Sequence, residues 1–425
     1  MALYFVNYLD RTNLGIAKMQ VSADLQLSAT MFGLASGIFF VGYVLVEVPS
    51  NLALVRFGAR RWLARIAVSW GIIAVATAFA PNAATLLALR FLLGVAEAGL
   101  FPGVVFYLSS WFPAGYRARV VGVFMLAVPI ASAVGNPLCA WLIETGHGVL
   151  GLAGWRFMMI CVGLPAVLLG IVVWFTLTDG PTDAHWLSET QREWLINTLA
   201  AEDRHVSTTY RYPLRRALTS PRVWALAVVY FGVAYGLYAL AFFLPSIVAG
   251  FKTSFGVHPT LIEVGFITAV PYLFGAAAMF LWSRHADRIG EHVWHVALPL
   301  LLGGIAIPLA LYLDHPVATM ALVTIAAVGI FAALPVFWAL PPRFLTGAAA
   351  AAGIGLINSV GNLGGFAAPY ATGALADLTG ANRAGMWAVG AIMVLGASLV
   401  VWLRATPSPD RRGGSGEYPR SQPTG

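Results

Sequence analysis

Charge is what this 425-residue sequence lacks. Only 10% of its residues are Asp, Glu, Lys or Arg, against 59% hydrophobic, where a soluble domain carries roughly 25% charged residues. So sparse a set cannot coat a water-exposed surface, which excludes a soluble globular protein and makes the bilayer the solvent. Cysteine is scarce too. Cys139 and Cys161 both lie in apolar runs and read as small buried hydrophobes, which excludes a disulfide framework or a thiolate metal centre. No metal-ligand cluster, nucleophile–base set or phosphate-binding loop stands out, so neither an enzyme nor a bound metal or cofactor is expected. No basic region precedes the first apolar stretch, so no signal peptide is read. That stretch, about residues 2–17, would span only ~24 Å at about 1.5 Å per residue. A hydrocarbon core is about 30 Å thick, and the expectation is that the chain starts a few residues inside its first span.

What the sequence has is apolar runs of bilayer length, near residues 2–18, 29–53, 62–80, 84–110, 119–144, 155–177, 222–248, 261–283, 293–313, 316–339, 350–376 and 384–403. They predict an all-α membrane protein with twelve transmembrane helices. The net charge of +7 does not indicate nucleic acid, because the basic residues are scattered through short loops rather than gathered on one face. Of the 25 Lys and Arg, 19 fall in the loops after even-numbered spans, in the long segment between spans 6 and 7, and in the tail; 4 fall on the opposite side, and Arg11 and Arg90 are left inside spans. By the positive-inside rule both termini are cytoplasmic, and a bacterial inner (plasma) membrane is the expected location.

The halves look duplicated. Val134-Gly135-Asn136 recurs as Val360-Gly361-Asn362, Arg56-Phe57-Gly58 as Arg288-Ile289-Gly290, and Pro102 as Pro335, at offsets of 226, 232 and 233 residues. The expected organisation is a six-helix bundle over 1–177, a cytoplasmic linker over 178–221, a second six-helix bundle over 222–404, and a disordered tail over 405–425. In the linker, Ser188 and Gln191 form a capping-box pattern ahead of a short amphipathic helix that carries Trp194, Leu195 and Leu199 on one side. Two related bundles that face each other enclose a midplane cavity and can rock between two open states. A single chain supplies both walls, so a monomer suffices.

Charges inside spans are costly, roughly 2.5–3.5 kcal/mol each on insertion scales, and mark function by default. Here they are Asp10 and Arg11 in span 1, Glu47 in span 2, and Arg90 and Glu97 in span 4, all in the first half. Arg90 and Glu97 share a helix face about 10 Å apart, which reads either as a structural ion pair with a neighbour or as a cationic seat for an anion beside a proton-accepting acid. Asp10-Arg11 repeats that pairing. All eight histidines lie in loops or near span ends, so Asp10 and Glu97 are the expected proton carriers. An anion that docks on an arginine withdraws it from its carboxylate, so anion and proton bind together. Glu47 and Arg56 near one end of span 2, and Asp287-Arg288 after span 8, are expected gate residues, with Glu47 reaching the loop arginines. The second half has only amides and rings to offer. Tyr43, Tyr238, Trp338, Asn358 and Asn362 are the expected recognition groups, each alone being as readily helix glue.

The runs Tyr8-Leu9-Asp10-Arg11-Thr12-Asn13, Glu47-Val48-Pro49-Ser50-Asn51, Arg56-Phe57-Gly58-Ala59-Arg60, Arg90-Phe91-Leu92-Leu93-Gly94-Val95-Ala96-Glu97-Ala98-Gly99 and Ile357-Asn358-Ser359-Val360-Gly361-Asn362 resemble the anion:cation symporter family of the major facilitator superfamily. The resemblance covers all but the tail and is strongest to bacterial tartrate, phthalate, hydroxyphenylacetate and galactonate permeases. It implies the major facilitator fold of two pseudo-symmetric six-helix bundles and proton-driven uptake of a small organic carboxylate. It also implies that the positions of Asp10 and Glu97 carry protons and that those of Arg11, Tyr43, Arg90 and Asn358 surround the substrate. The alternatives are an exporter or antiporter of metabolites or drugs, and a carboxylate sensor that does not transport. The lack of a sizeable soluble domain speaks against the sensor.

Overall fold

The computed structural model describes residues 1–209, 219–251, 256, 258–341, 348–381 and 383–405, without the side chains of 114, 115, 118, 119, 203–209, 348–352 and 405. The tail and the loop residues Arg211, Arg215, Arg216, Lys252 and Arg343 therefore lie outside the described residues. All regular structure among the described residues is helical. The first half holds α1 (Ala2–Asp24), α2 (Ala29–Phe57), α3 (Ala59–Thr77), α4 (Ala83–Glu97), α5 (Leu100–Ser109), α6 (Ala114–Met125), α7 (Ala127–Thr145) and α8 (Gly154–Thr176). The linker forms α9 (Glu189–Thr209). The second half holds α10 (Pro221–Ala249), α11 (Leu261–Ile289), α12 (Val293–Leu309), α13 (Pro316–Phe337), α14 (Ala348–Thr379) and α15 (Arg383–Ala405).

Spans 4 and 5 are each built from two of these helices, and the reason is proline. Pro102 has no N–H and its ring crowds the carbonyl four residues back, that of Ala98. The chain breaks there, with Gly99 in the left-handed region (φ +86°). The freed Ala98 carbonyl accepts from Ser50 Oγ at 2.6 Å, and Ser50 Oγ in turn accepts from Trp62 Nε1 at 3.0 Å. Pro129 acts likewise on the α6–α7 junction at Leu126. Nine spans are long and apolar enough among the described residues to cross a membrane by themselves. The other three are α1, α3 and α14, of 23, 19 and 32 residues. They fall short in hydropathy for reasons written in their sequences. α1 carries a polar stripe, α3 opens with Arg60, Arg61 and Arg65, and α14 is built largely of alanine and glycine. The first apolar stretch alone would span only ~24 Å; helix α1 continues past Lys18 to Asp24, about 35 Å at 1.5 Å per residue. Lys18 is accommodated over the rings of Phe243 (4.3 Å) and Phe32 (5.3 Å).

The twelve spans form two six-helix bundles. In the first, α3 packs on α8, α2 on α4 and α1 on α7; in the second, α10 packs on α14, α12 on α13 and α15, and α11 on α13. Between the bundles, α2 packs on α14, α7 on α11, and α1 on α10. Glycine allows the closest approaches, as is usual where membrane helices cross. A Cβ at Gly94 would land on the Phe39 carbonyl, and one at Gly42 on that of Phe91. This contact seats α4, with Arg90 and Glu97, against the face of α2 that carries Phe39 and Tyr43. The linker docks on the first bundle: Arg60 N–H donates to Asp179 at 2.7 Å, Arg117 pairs with Glu202 at 3.1 Å, and Trp111 stacks on Trp186. The Ser188–Gln191 capping box is formed, each backbone N–H donating to the other side chain at 3.3 Å. Leu195 and Leu199 are half-buried, whereas Trp194 is exposed.

Adding one methyl at a crossing this tight forces the helices apart, at about 1–3 kcal/mol. Gly94→Ala is expected to lower the melting temperature of the detergent-solubilised protein by several degrees. Gly122→Ala, where a Cβ meets nothing within 4 Å, should leave it unchanged in the same fluorescence melt.

Candidate functional site

The site grows from the stripe Tyr4, Asn7, Tyr8, Arg11, which recurs every three or four residues and so forms one face of α1. That face points to the centre of the molecule. Between the bundles lies a cavity lined by Tyr4, Tyr8 and Arg11, by Tyr43 of α2, by Tyr230 and Tyr238 of α10, and by Asn358 and Asn362 of α14, with Phe101, Met125, Val128, Ala234, Leu237 and Leu334 completing its walls. Most of these residues belong to the halves of their spans nearer the chain termini; Tyr43 stands at the middle of α2, and Leu237 and Tyr238 just past the middle of α10. On the opposite face the bundles are in contact. Gly33 meets the Pro369 carbonyl, Gly265 meets Pro137 (a Cβ would stand 2.8 Å from its Cα), and Asn136 Nδ2 donates to Thr268 Oγ1 at 3.3 Å. The cavity therefore faces the side of the termini and is closed on the other.

Arg11 is the cation in this cavity. Its Nε donates to Glu97 Oε2 at 2.8 Å, and Asn7 Nδ2 donates to the same oxygen at 2.6 Å. The guanidinium lies over the rings of Phe39 and Tyr43, at 5.1 and 4.9 Å from their centroids. Its Nη2, Glu97 Oε1 and the Tyr8 hydroxyl have no hydrogen-bond partner among the described residues. A guanidinium so held presents a planar edge suited to a carboxylate, and the aromatic faces keep it in place without neutralising it.

Sequence neighbours are not the partners here. Arg90–Glu97 and Asp10–Arg11 looked like two pairs, but Glu97 pairs with Arg11 across two helices. Asp10 accepts from Asn13 Nδ2 at 2.9 Å, and Arg90 Nε donates to the Ala35 carbonyl at 3.3 Å. Residues 10 and 11 point about 100° apart on a helix, so only one of them can face the cavity. Asp10 is 1% exposed and lies within the first bundle. Arg90, 2% exposed, stands behind the Phe39 ring, 5.5 Å from its centroid, and does not line the cavity. Trp338 does not line it either. It sits edge-on to Tyr230 at 4.8 Å and backs that ring. Arg11, Tyr43, Tyr238, Asn358 and Asn362 do line the cavity.

The expected gate residues have other contacts. Glu47 accepts from Asn358 Nδ2, and from Ser359 Oγ at 3.2 Å, joining α2 to α14 rather than reaching the loop arginines. Arg56 is nine residues further on, about 14 Å along the axis, and lies over the Phe57 ring at 5.6 Å. Asp287 is largely exposed and has His292 of its own loop 3.5 Å away. Asp287 and Arg288 clasp nothing in the first bundle among the described contacts, as befits a face on which the cavity is open. Asn7, Tyr4, Tyr8 and Ser359 were not singled out from sequence. The periodic stripe on α1 is the signal that marks the first three. Among the described residues no group of three or more His, Cys, Asp or Glu is placed to hold a metal ion.

The family description "Major Facilitator Superfamily" matches residues 1–369 and 252–420. The chain belongs to that superfamily. It is 46% identical to an Agrobacterium vitis protein named for tartrate transport, over 96% of this chain and 92% of the relative. It is 40% identical to an Acinetobacter baumannii protein named a quinolone resistance transporter, over 93% and 90%. Among solved structures it superposes on a bacterial homologue of the human lysosomal transporter Spinster in an inward-facing, unoccupied conformation, with a TM-score of 0.73 over 96% of this chain and 97% of that one. At 18% identity this last likeness bears on the fold alone. The facilitator is thus a multi-pass membrane transporter for a small-molecule substrate, not an enzyme.

Removing one member of a buried ion pair leaves the other uncompensated, at about 3–5 kcal/mol, whereas replacing both is far milder. Arg11→Met and Glu97→Met should each depress the melting temperature clearly, and the double variant by less than the sum. Additive losses would show that the pair is not coupled.

Proposed function

We propose that this facilitator is a proton-coupled symporter that takes up a small organic carboxylate by alternating access. The observation that carries the reading is Arg11, a buried guanidinium on the cavity wall with one nitrogen on Glu97 and another without a partner. Charge arithmetic supports coupling. The buried set comprises three carboxylates (Asp10, Glu47, Glu97) and two guanidiniums (Arg11, Arg90). Fully ionised it sums to a single negative charge, and an anionic substrate would deepen that deficit where little water screens it. Each proton taken up offsets one charge, so anion and proton are best accommodated together. Glu97 is the primary proton carrier in this reading because substrate binding to Arg11 loosens its own hold on that arginine. Asp10, beside Asn13 and inside the same bundle, is the second carrier.

Tyr43, Tyr238, Asn358 and Asn362, with Tyr4, Tyr8 and Tyr230 beside them, supply hydroxyls, amides and ring faces. These suit a hydroxylated or aromatic acid such as tartrate, an aldonate, phthalate or hydroxyphenylacetate; the relative named for tartrate makes that acid the first to test. The excess of arginine on the side of the termini supports a cytoplasmic placement for both in a bacterial inner membrane, with the cavity then open to the cytoplasm. The protein is proposed to act as a monomer driven by the proton gradient, without a cofactor. Export of a drug or metabolite is the second reading, and the relative named for quinolone resistance is the observation that favours it.

Uptake of labelled L-tartrate, phthalate, hydroxyphenylacetate and galactonate into energised vesicles should collapse with a protonophore for whichever acid is carried. Glu97→Gln should exchange substrate yet no longer accumulate it against a gradient. Arg11→Lys, which keeps the charge but loses the planar fork, should raise the apparent KM roughly tenfold or more. Quinolone resistance conferred on a sensitive host, with no proton-driven uptake of any acid, would replace symport by export.

A further inference from the structure

The closed face is held by two carboxylates that the transport reading does not use. Asp377, near the end of α14, reaches the start of α2: its Oδ2 accepts from the Thr30 N–H at 2.7 Å and its Oδ1 from the Ala29 N–H at 3.1 Å. Glu144, near the end of α7, reaches the start of α11: its Oε1 accepts from the Ile262 N–H at 3.2 Å. Each bond crosses between the bundles. The first N–H groups of a helix have no partner inside it and carry the positive end of its dipole, so a carboxylate from the other bundle satisfies both hydrogen bonding and charge. Each helix also caps itself in part, α2 through Ser28 on Met31 N–H and α11 through Thr260 on Glu263 N–H. The foreign carboxylate thus completes a cap that the chain leaves unfinished.

The two contacts are one contact used twice. Asp377 and Glu144 are 233 positions apart, Thr30 and Ile262 are 232 apart, and the caps Ser28 and Thr260 are 232 apart. The crossings just inside them repeat at the same spacing, Gly33 with Gly265 and Pro369 with Pro137. These offsets match those that relate the two halves in sequence, so the duplicated unit presents the end of its fifth span to the start of the other unit's second span, on both sides of the molecule.

We propose that Asp377 and Glu144 are the gate residues of the face remote from the termini, paired carboxylate-to-helix latches that keep it shut while the cavity is open on the other side. Rocking to the opposite state separates the starts of α2 and α11 from these carboxylates, which already stand exposed at the rim. Because the bonds are made to backbone dipoles rather than to arginines, each latch is weak enough to open in every cycle.

The test needs no substrate and so stands apart from the proposed symport. Thr268 is fully buried at the α7–α11 contact, and Thr268→Cys reports on opening there. The native Cys139, 1% exposed inside the first bundle, reports on general loosening, and Cys161→Ala removes the half-buried thiol. In detergent-solubilised protein, the rate of labelling by a hydrophilic maleimide at the Thr268→Cys position should rise about threefold with Asp377→Ala or Glu144→Ala and about tenfold with both, given the usual strength of charge–dipole contacts. Cys139 should stay protected throughout. Unchanged labelling of the Thr268→Cys reporter in the double variant, or a rise shared equally by Cys139, overturns the proposal.

Discussion

A guanidinium inside a bilayer protein is the constraint around which the first bundle is arranged. Arg11 cannot be left to lipid or to unpaired burial, and one neighbour cannot satisfy its five donors. Glu97 takes Nε, Asn7 steadies Glu97 from the next turn of α1, and Phe39 and Tyr43 close over the guanidinium. That arrangement requires α4 to lie almost against α2, which Gly42 and Gly94 permit. It also places Glu97 as the last residue of α4, just before the Gly99 kink redirects the span as α5. Helix packing, the proline break and the aromatic pair thus meet around one cation.

The division of charge between the bundles bears on how they move. The buried Arg11–Glu97 ion pair, and Asp10 with Asn13, lie wholly within the first bundle. The hydrogen bonds that cross between bundles among the described residues are neutral or one-sided: Asn136 to Thr268, Asn358 and Ser359 to Glu47, backbone N–H groups to Asp377 and Glu144. Splitting a buried ion pair costs several kcal/mol, whereas a hydrogen bond that water can replace costs about 1. A transporter that must separate its halves on each cycle is better served by the second kind of contact, and these are the ones on its seam.

The fold was largely legible because each of its determinants is local or periodic. Apolar runs of bilayer length mark the spans, the recurring Val-Gly-Asn and Arg-x-Gly patterns mark the duplication, and Ser188 with Gln191 marks the start of the linker helix. Five cavity residues could be picked out for the same reason, since a polar group in an apolar span has few places to go. Pairing was not legible. Arg90 and Glu97 share a helix face, but which arginine reaches Glu97 depends on the rotation of α1 against α4, a tertiary quantity. Trp338 was placed in the cavity on chemistry alone and Arg90 on chemistry and resemblance, and a ring in front of each, Tyr230 and Phe39, keeps them from it. Glu47 was expected to meet the basic loop, but its depth in α2 puts it opposite Asn358 instead. Asp377 and Glu144 drew no attention because acids at span ends are ordinary until the helix start opposite them is known.

Glu47 is where the charged bundle touches the neutral one beside the cavity. Its carboxylate holds Asn358 and Ser359, and Asn358 is also part of the cavity wall. The amide of Asn358 has two N–H groups, one of them already committed to Glu47. Any acceptor that approaches from inside the cavity must use the other or displace the carboxylate, and so acts on the bond that ties α2 to α14 near the open face. The same two helices meet at the closed face through Asp377 and the start of α2. One helix pair therefore spans from the cavity wall to the far seam, and a rigid-body tilt of α14 against α2 changes both contacts at once. In a twofold-related scaffold the partner pair, α7 with α11, carries the Glu144 contact but no counterpart of Glu47. The seam is symmetric and the cavity wall is not, because the α2–α14 pair joins the Asn358 contact at the cavity wall to the Asp377 contact at the far seam.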